Sequence, residues 1–142
     1  MTYAVKQDLV YRFGTEEMTQ LSDHGGAGDI DDDVVARALA DADDEINGYL
    51  ASRYALPLAS APKILTLHAC DIARYRLYKD RPTDSVRSRY EDAVKYLRAV
   101  GEGKLSLGLD QGGAEVTTET GIVDYSLGAD ERVFTRDTLA DY

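Results

Sequence analysis

Three long amphipathic stretches, set apart by proline- and glycine-bearing breaks, leave this sequence few folds to choose from. In the first, Val35, Leu39, Ala42, Ile46 and Tyr49/Leu50 recur at intervals of three and four, one face of a helix from about Asp32 to Arg53. Its polar face is expected to carry Asp41, Asp43, Asp44 and Glu45. "YALPLASAP" breaks the period with Pro57 and Pro62, and Pro62 suits the first turn of the next helix, where a missing N–H costs nothing. That helix, about 62 to 79, presents Ile64, Leu65, Leu67, His68, Ala69, Ile72, Tyr75 and Tyr78, an apolar arc broad enough to predict the most buried helix. After "DRPTDSV", Thr83 is placed to cap a third helix running to about Val100, with Val86, Tyr90, Ala93/Val94 and Leu97 inward and Gly101 as terminator.

Two shorter helices precede these. "KQDLVYRFG" puts Leu9, Val10 and Phe13 on one side and ends at Gly14, a residue suited to a left-handed C-cap. Thr15 is expected to cap "TEEMTQL", with Glu16 and Glu17 in the first turn where the helix dipole favours them. The fold class that follows is all-α: a small bundle of four to five helices over residues 1–107. From Gly108 the pattern stops. Residues 108–142 hold repeated glycines, threonines and aspartates with no helical stripe, and "EVTTETGIVDYSL" is rich in β-formers. This segment reads as an extended, partly β C-terminal arm, too short for a core of its own and ordered by contacts with other chains.

At 142 residues, 44% of them hydrophobic, the chain can build one core. No apolar run nears the roughly 20 residues that cross a bilayer, so no membrane partner is expected. The start "MTYAVKQDLVYRF" has neither a basic leader nor an apolar core, so no signal peptide is expected. A lone cysteine, Cys70, excludes an internal disulfide and fits synthesis in a reducing cytoplasm.

The net charge of −10 is unevenly spread. Residues 1–73 carry 5 basic and 13 acidic side chains, residues 74–104 carry 9 and 5, and residues 105–142 carry 2 and 8. Alternating blocks of this kind suit head-to-side association between copies, and argue against a general nucleic-acid binder, which needs a cationic face. Arg74, Arg76, Arg87 and Arg89 on the basic helices, with Asp41 and Asp44 on the acidic one, are the inter-subunit candidates. Interleaved with Tyr75, Tyr78, Tyr90 and Tyr96, the arginines also suit a single-strand nucleic-acid surface, or a packed bundle whose arginines pair with nearby carboxylates.

"SDHGGAGDIDDDVV" has the outline of a calcium loop, which opens a rival reading of a small acidic regulatory or metal-binding protein. Aligned on Asp23, however, positions three, five and twelve are Gly25, Ala27 and Val34, none of which offers a side-chain oxygen. The same residues make a glycine reversal followed by an aspartate N-cap, Asp31 or Asp32. His68 and Cys70, two apart on a helix, point to different faces, so no metal site is expected there and Cys70 belongs in the core. No phosphate loop, dinucleotide fingerprint or nucleophile elbow occurs. The expectation is therefore no catalytic residue, no cofactor and no enzyme.

The segments "MTYAVKQDLVYRFG", "DDVVARALADADDEINGYLASRYALPL", "CDIARYRLYKDRPTDSVRSRYEDAVKYLRAVGEGKLSLG" and "RVFTRDTLADY" together resemble the small acidic virion proteins of Mu-type phages and prophages. Their helical plan is similar to that of the head–tail adaptors, or connectors, of long-tailed phages. The resemblance covers nearly the whole chain, with "ADADDEINGYLASRYALPL" and "DIARYRLY" its most distinctive pieces. It implies a structural neck protein of the virion, assembled in the bacterial host cytoplasm as a homo-oligomeric ring of about a dozen copies. The implied partners are the portal protein and a stopper or tail-completion protein, with DNA passing through without sequence-specific binding. Val133, Phe134, Arg136, Leu139 and Tyr142 of the arm would then anchor a partner.

Overall fold

A computed structural model describes residues 1–110 and 112–115, and among them five α-helices. These are α1 (Lys6–Phe13), α2 (Thr15–Ser22), α3 (Asp32–Leu50), α4 (Lys63–Leu77) and α5 (Asp84–Gly101). The last three form the body of an all-α bundle, α4 packing on both α3 and α5. The α1–α2 pair lies across α3 and α4.

The stripes read from sequence are the ones that pack. Val35, Leu39, Ala42, Ile46 and Leu50 of α3 are buried, as are Val86, Ala93, Leu97 and Val100 of α5. Helix α4 is buried over most of its circumference, through Leu65, His68, Ala69, Cys70, Asp71, Ile72, Ala73 and Leu77. Cys70 is a packed core thiol, and burial pushes its pKa up to about 12, so it is not a ready nucleophile.

Local chemistry sets the helix ends, with three differences from expectation. Asp31 caps α3 by accepting from the N–H of Asp33 at 3.0 Å and of Val34 at 3.1 Å. Thr83 caps α5 by accepting from the Val86 N–H at 3.4 Å. Thr15, in contrast, is not a cap but the first residue of α2. Gly14 takes φ 89 and ψ 153, a region essentially closed to side chains, and as the single residue between α1 and α2 it swings the chain from one into the other. Pro62 stands at the N-cap of α4, one position ahead of its first turn. Gly101 does not reverse the chain either; it is the last residue of α5, and the positive φ of 79 falls at Gly103. What demands glycine at 101 is proximity: a Cβ there would sit 2.6 Å from the Tyr49 carbonyl oxygen.

Beyond α5 the chain stays on the bundle for several residues. Leu107 and Leu109 are buried, and the Leu107 N–H donates to the Tyr54 hydroxyl at 3.3 Å. Leu109 and Glu115 form an antiparallel bridge, and the Ser60 N–H donates to the Gly113 carbonyl at 3.1 Å. The first residues after Gly108 are thus seated against the α3–α4 connection. The segment expected to be partly β lies, from residue 116 on, outside the described residues.

Candidate assembly interface

The basic helices are tied inward. Arg74 of α4 donates to both carboxylate oxygens of Glu17 on α2, at 2.6 and 3.0 Å, and lies 4.3 Å from the centre of the Phe13 ring. Tyr78 adds a third donor to Glu17 at 3.2 Å. This bidentate, half-buried pair fastens α2 to α4, a geometry Arg holds better than Lys. Glu45 of α3 is gripped the same way: Arg76 of α4 donates to it at 2.8 Å and the Tyr90 hydroxyl of α5 at 2.9 Å. Burial and the bond to Glu45 push the Tyr90 phenol up to about 12, so it stays a neutral donor. Tyr75 and Tyr90 stack with ring centres 4.1 Å apart and planes 7° off parallel.

The inter-subunit candidates therefore divide. Arg74 and Arg76 hold carboxylates of their own chain, and Arg89 lies 3.8 Å from Asp71. Asp71 is buried with one carboxylate oxygen lacking a hydrogen-bond partner among the described residues. Burial raises its pKa, against the opposing pull of Arg89, Arg12 and Arg74. Arg87, Asp41 and Asp44 are exposed, and no ion pair engages them among the described residues. Of the four tyrosines among these arginines, Tyr75 and Tyr90 turn one face of each ring to the other.

The aspartate-rich loop is closed from within. The two oxygens of Asp23 accept from the N–H groups of Gly28 at 2.7 Å and Ala27 at 2.9 Å, and these bonds lower its pKa. Two N–H dipoles aimed at a carboxylate are the reverse of what a cation needs from its ligand. Ser22 accepts from the Asp31 N–H at 3.1 Å, and His24 accepts from Lys79 at 2.8 Å, pinning the loop to the end of α4. Among the described residues no group of three His, Cys, Asp or Glu side chains is close enough to hold a metal ion.

One feature escaped the sequence. Residues 2–5 lie along α3, and the Tyr3 N–H donates to Asp43 at 2.9 Å. The Tyr3 hydroxyl donates to Asn47 at 2.6 Å, and the Tyr3 carbonyl accepts from Thr66 of α4 at 2.9 Å. Asp43, expected on the polar face of α3, is accordingly buried, and burial raises its pKa. Its position carried the signal: Asp43 falls inside the apolar stripe, between Leu39 and Ile46, where a carboxylate must have a partner.

Between this segment and α3 lies a groove of about 400 Å³ lined by Ala4, Val5, Val35, Ala36, Leu39 and Ala40. The Lys6–Asp32 ion pair closes one end. The concavity continues across Ala36 and Ala40 to Asp33 and Arg37. The outward face of α3 thus combines small residues, Ala36, Ala40 and Gly48, with Asp33, Asp41 and Asp44, all exposed. The anchors named in the arm, Val133, Phe134, Arg136, Leu139 and Tyr142, lie outside the described residues.

Comparison with known proteins gives this bundle its relatives. The family model described as Bacteriophage Mu, Gp36 matches residues 3–124. The Mu-like prophage FluMu protein gp36 of Haemophilus influenzae is 39% identical over 127 residues, 89% of this chain and 90% of that protein. Gene product J of Escherichia phage Mu is 37% identical over 111 residues, 78% of this chain and 79% of that one. No helix of the described residues is long and apolar enough to cross a membrane. The chain belongs to the Bacteriophage Mu Gp36 family.

Proposed function

We propose that this chain is a structural protein of phage morphogenesis, a non-enzymatic head–tail adaptor that forms a ring below the portal and joins the head to the tail. The observation that carries the reading is family membership across almost the full chain, with phage and prophage relatives at both ends of the comparison. The bundle is in keeping with it. Its interhelical clamps, Arg74–Glu17 and the Arg76–Glu45–Tyr90 set, stiffen a subunit that must bear load, while the exposed acids of α3 are free to face outward. An acidic wall repels phosphate, so DNA slides past rather than sticking. Stopper and tail-completion proteins are the partners proposed on the far side of the ring, which places the protein in the virion neck.

Electron microscopy of the protein co-expressed with its portal tests this directly. Rings of about a dozen copies seated coaxially on the portal are expected. Absence of the protein from purified tailed particles, measured by mass spectrometry, would refute the adaptor role.

A further inference from the structure

A second pocket, of about 250 Å³, collects cationic side chains from α3 and α4 in an otherwise acidic chain. Arg37 of α3, Arg76 of α4 and Lys79 just past α4 line it, together with His24 of the α2–α3 loop. Asp41 is the single acid in the lining. Glu45 neutralises Arg76, but no carboxylate lies within ion-pair distance of Arg37 or Lys79 among the described residues. Arg37 gives its Nε–H to the Asp33 carbonyl at 3.1 Å, and Lys79 donates to the neutral His24 ring, so neither bond compensates a charge.

The backbone opposes a lysine at this place. Lys79 takes φ 53, in the left-handed region, at the position after the α4 C-cap where helices favour glycine. It is the one non-glycine residue with positive φ among the described residues. Glycine would make the same turn without strain, so the side chain is retained against the preference of its own backbone.

The remaining lining selects the kind of anion. Val34, Ala38 and Leu77 make an apolar wall, so the occupant joins a negative group to an aliphatic one. The volume falls below the roughly 300–1,000 Å³ of sites for whole small molecules and suits one acidic side chain with part of its neighbour. A nucleic-acid strand carries a phosphate at every step and would meet Asp33, Asp41 and Asp44, exposed along α3 within a turn of the pocket. A single carboxylate meets only Asp41, against two uncompensated cations.

We propose that this pocket receives a glutamate or aspartate carboxylate from a partner protein, with Arg37 and Lys79 donating to its oxygens and Val34, Ala38 and Leu77 taking an aliphatic neighbour. Arg76, already fixed by Glu45, lies beside them as a preorganised third donor. The site stands apart from the adaptor reading, since it needs only an acidic partner segment.

The test titrates the isotope-labelled full-length chain with a short peptide of alternating glutamate and leucine, followed by amide chemical shifts. Saturable changes are expected to cluster at His24, Arg37, Arg76 and Lys79, and to vanish when the peptide's glutamates are replaced by glutamine. Arg37→Gln and Lys79→Gly, verified as folded by circular dichroism, are each expected to weaken binding at least ~10-fold, as loss of a charge-assisted bond does. Lys79→Gly is also expected to melt no lower than wild type, because it relieves the left-handed strain. A lysine with a purely structural role would give the opposite pair of results, a lower melting temperature with binding unchanged. Absence of saturable shifts at these residues overturns the site. Equally tight binding of inorganic phosphate, or of an oligothymidylate, overturns the carboxylate assignment. Sedimentation velocity showing that wild type alone self-associates, and that both variants abolish this, overturns the separate partner in favour of a second copy.

Discussion

Substituting alanine at two glycines, Gly48 and Gly101, should give opposite signs from the same chemical change. Both lie in helices, where replacing Gly with Ala ordinarily stabilises by about 0.8–1 kcal/mol, by removing backbone freedom from the unfolded chain. At Gly48 nothing lies within 4 Å of the added Cβ, so the full gain is expected. At Gly101 the Cβ meets the Tyr49 carbonyl oxygen at 2.6 Å and the Ser52 hydroxyl at 3.3 Å. The first distance is about 1 Å inside the usual optimum for non-bonded heavy atoms, and the obstacle is backbone, which cannot rotate away. Overpacking of this kind costs about 1–3 kcal/mol. The displaced helix ends would also strain the Ser52 bonds to the Tyr49 and Gly101 carbonyls, both 3.2 Å. Gly101→Ala is therefore expected to destabilise by up to about 2 kcal/mol net of the propensity gain. Urea denaturation measures both, with shifted midpoints and unchanged slopes. Melting temperatures should move about 3–5 °C per kcal/mol, up for Gly48→Ala and down for Gly101→Ala. A stabilised Gly101→Ala would refute the close approach of α3 and α5 at their C-terminal ends.

Other expectations follow from the caps, clamps and buried groups. Asp31→Ala should cost about 1 kcal/mol by freeing the Asp33 and Val34 N–H groups at the start of α3, read as a lowered urea midpoint. Asp43→Ala should loosen the N-terminal segment and cost about 1–3 kcal/mol, with the Tyr3 amide losing hydrogen-exchange protection ahead of the core. Unchanged protection there would count against Asp43 as the anchor. His68 is buried against Tyr96 at 4.6 Å between centroids, with neither ring nitrogen partnered among the described residues, and burial lowers its pKa. Its folded pKa lies below the unfolded value of 6.5, so its contribution is complete above pH 6.5 and is lost as pH falls from there through the folded value. Wild type should thus lose up to about 1.4 kcal/mol per pH unit below 6.5, a slope that His68→Phe removes. Asp43 and Asp71, raised by burial, act in the opposite direction: they add stability as pH falls through their folded values toward 3.8. The histidine effect is therefore best read at the upper end of this acidic range.

How much of this was legible depended on whether the contact was local. The stripes of α3, α4 and α5 repeat along the chain, and the caps Asp31 and Thr83 sit next to the helices they start, so sequence alone located them. Tyr54, Leu58, Leu107 and Leu109 are equally buried, yet they lie in connections with no period, and only the folded chain brings them together. The arginine–tyrosine helices show a second limit. Composition offered an external surface or an internal set of clamps, and the choice turned on Glu17 and Glu45, which are remote in sequence from Arg74, Arg76 and Tyr90. The groove was invisible for a similar reason: one wall is the N-terminal segment, whose docking involves Asp43, a carboxylate within an apolar stripe, together with Asn47 and Thr66. Gly14 and Gly101 were marked as helix ends, but the physical demand differs at each, an exotic backbone angle at one and a missing Cβ at the other.

The seating of residues 107–110 and 112–115 has a mechanical consequence. The chain does not leave the bundle from the tip of α5; it first crosses to the α3–α4 connection, where Ser60 holds Gly113 and Glu115. Arg53, just past α3, meanwhile grips the carbonyls of Val100 and Leu105 at 3.3 and 2.6 Å. Tension applied to the arm would enter at Leu58–Ser60, between the two most tightly packed helices, and would be shared by them. A tether rooted there pulls on the seam of the bundle as a unit, instead of peeling α5 away one turn at a time.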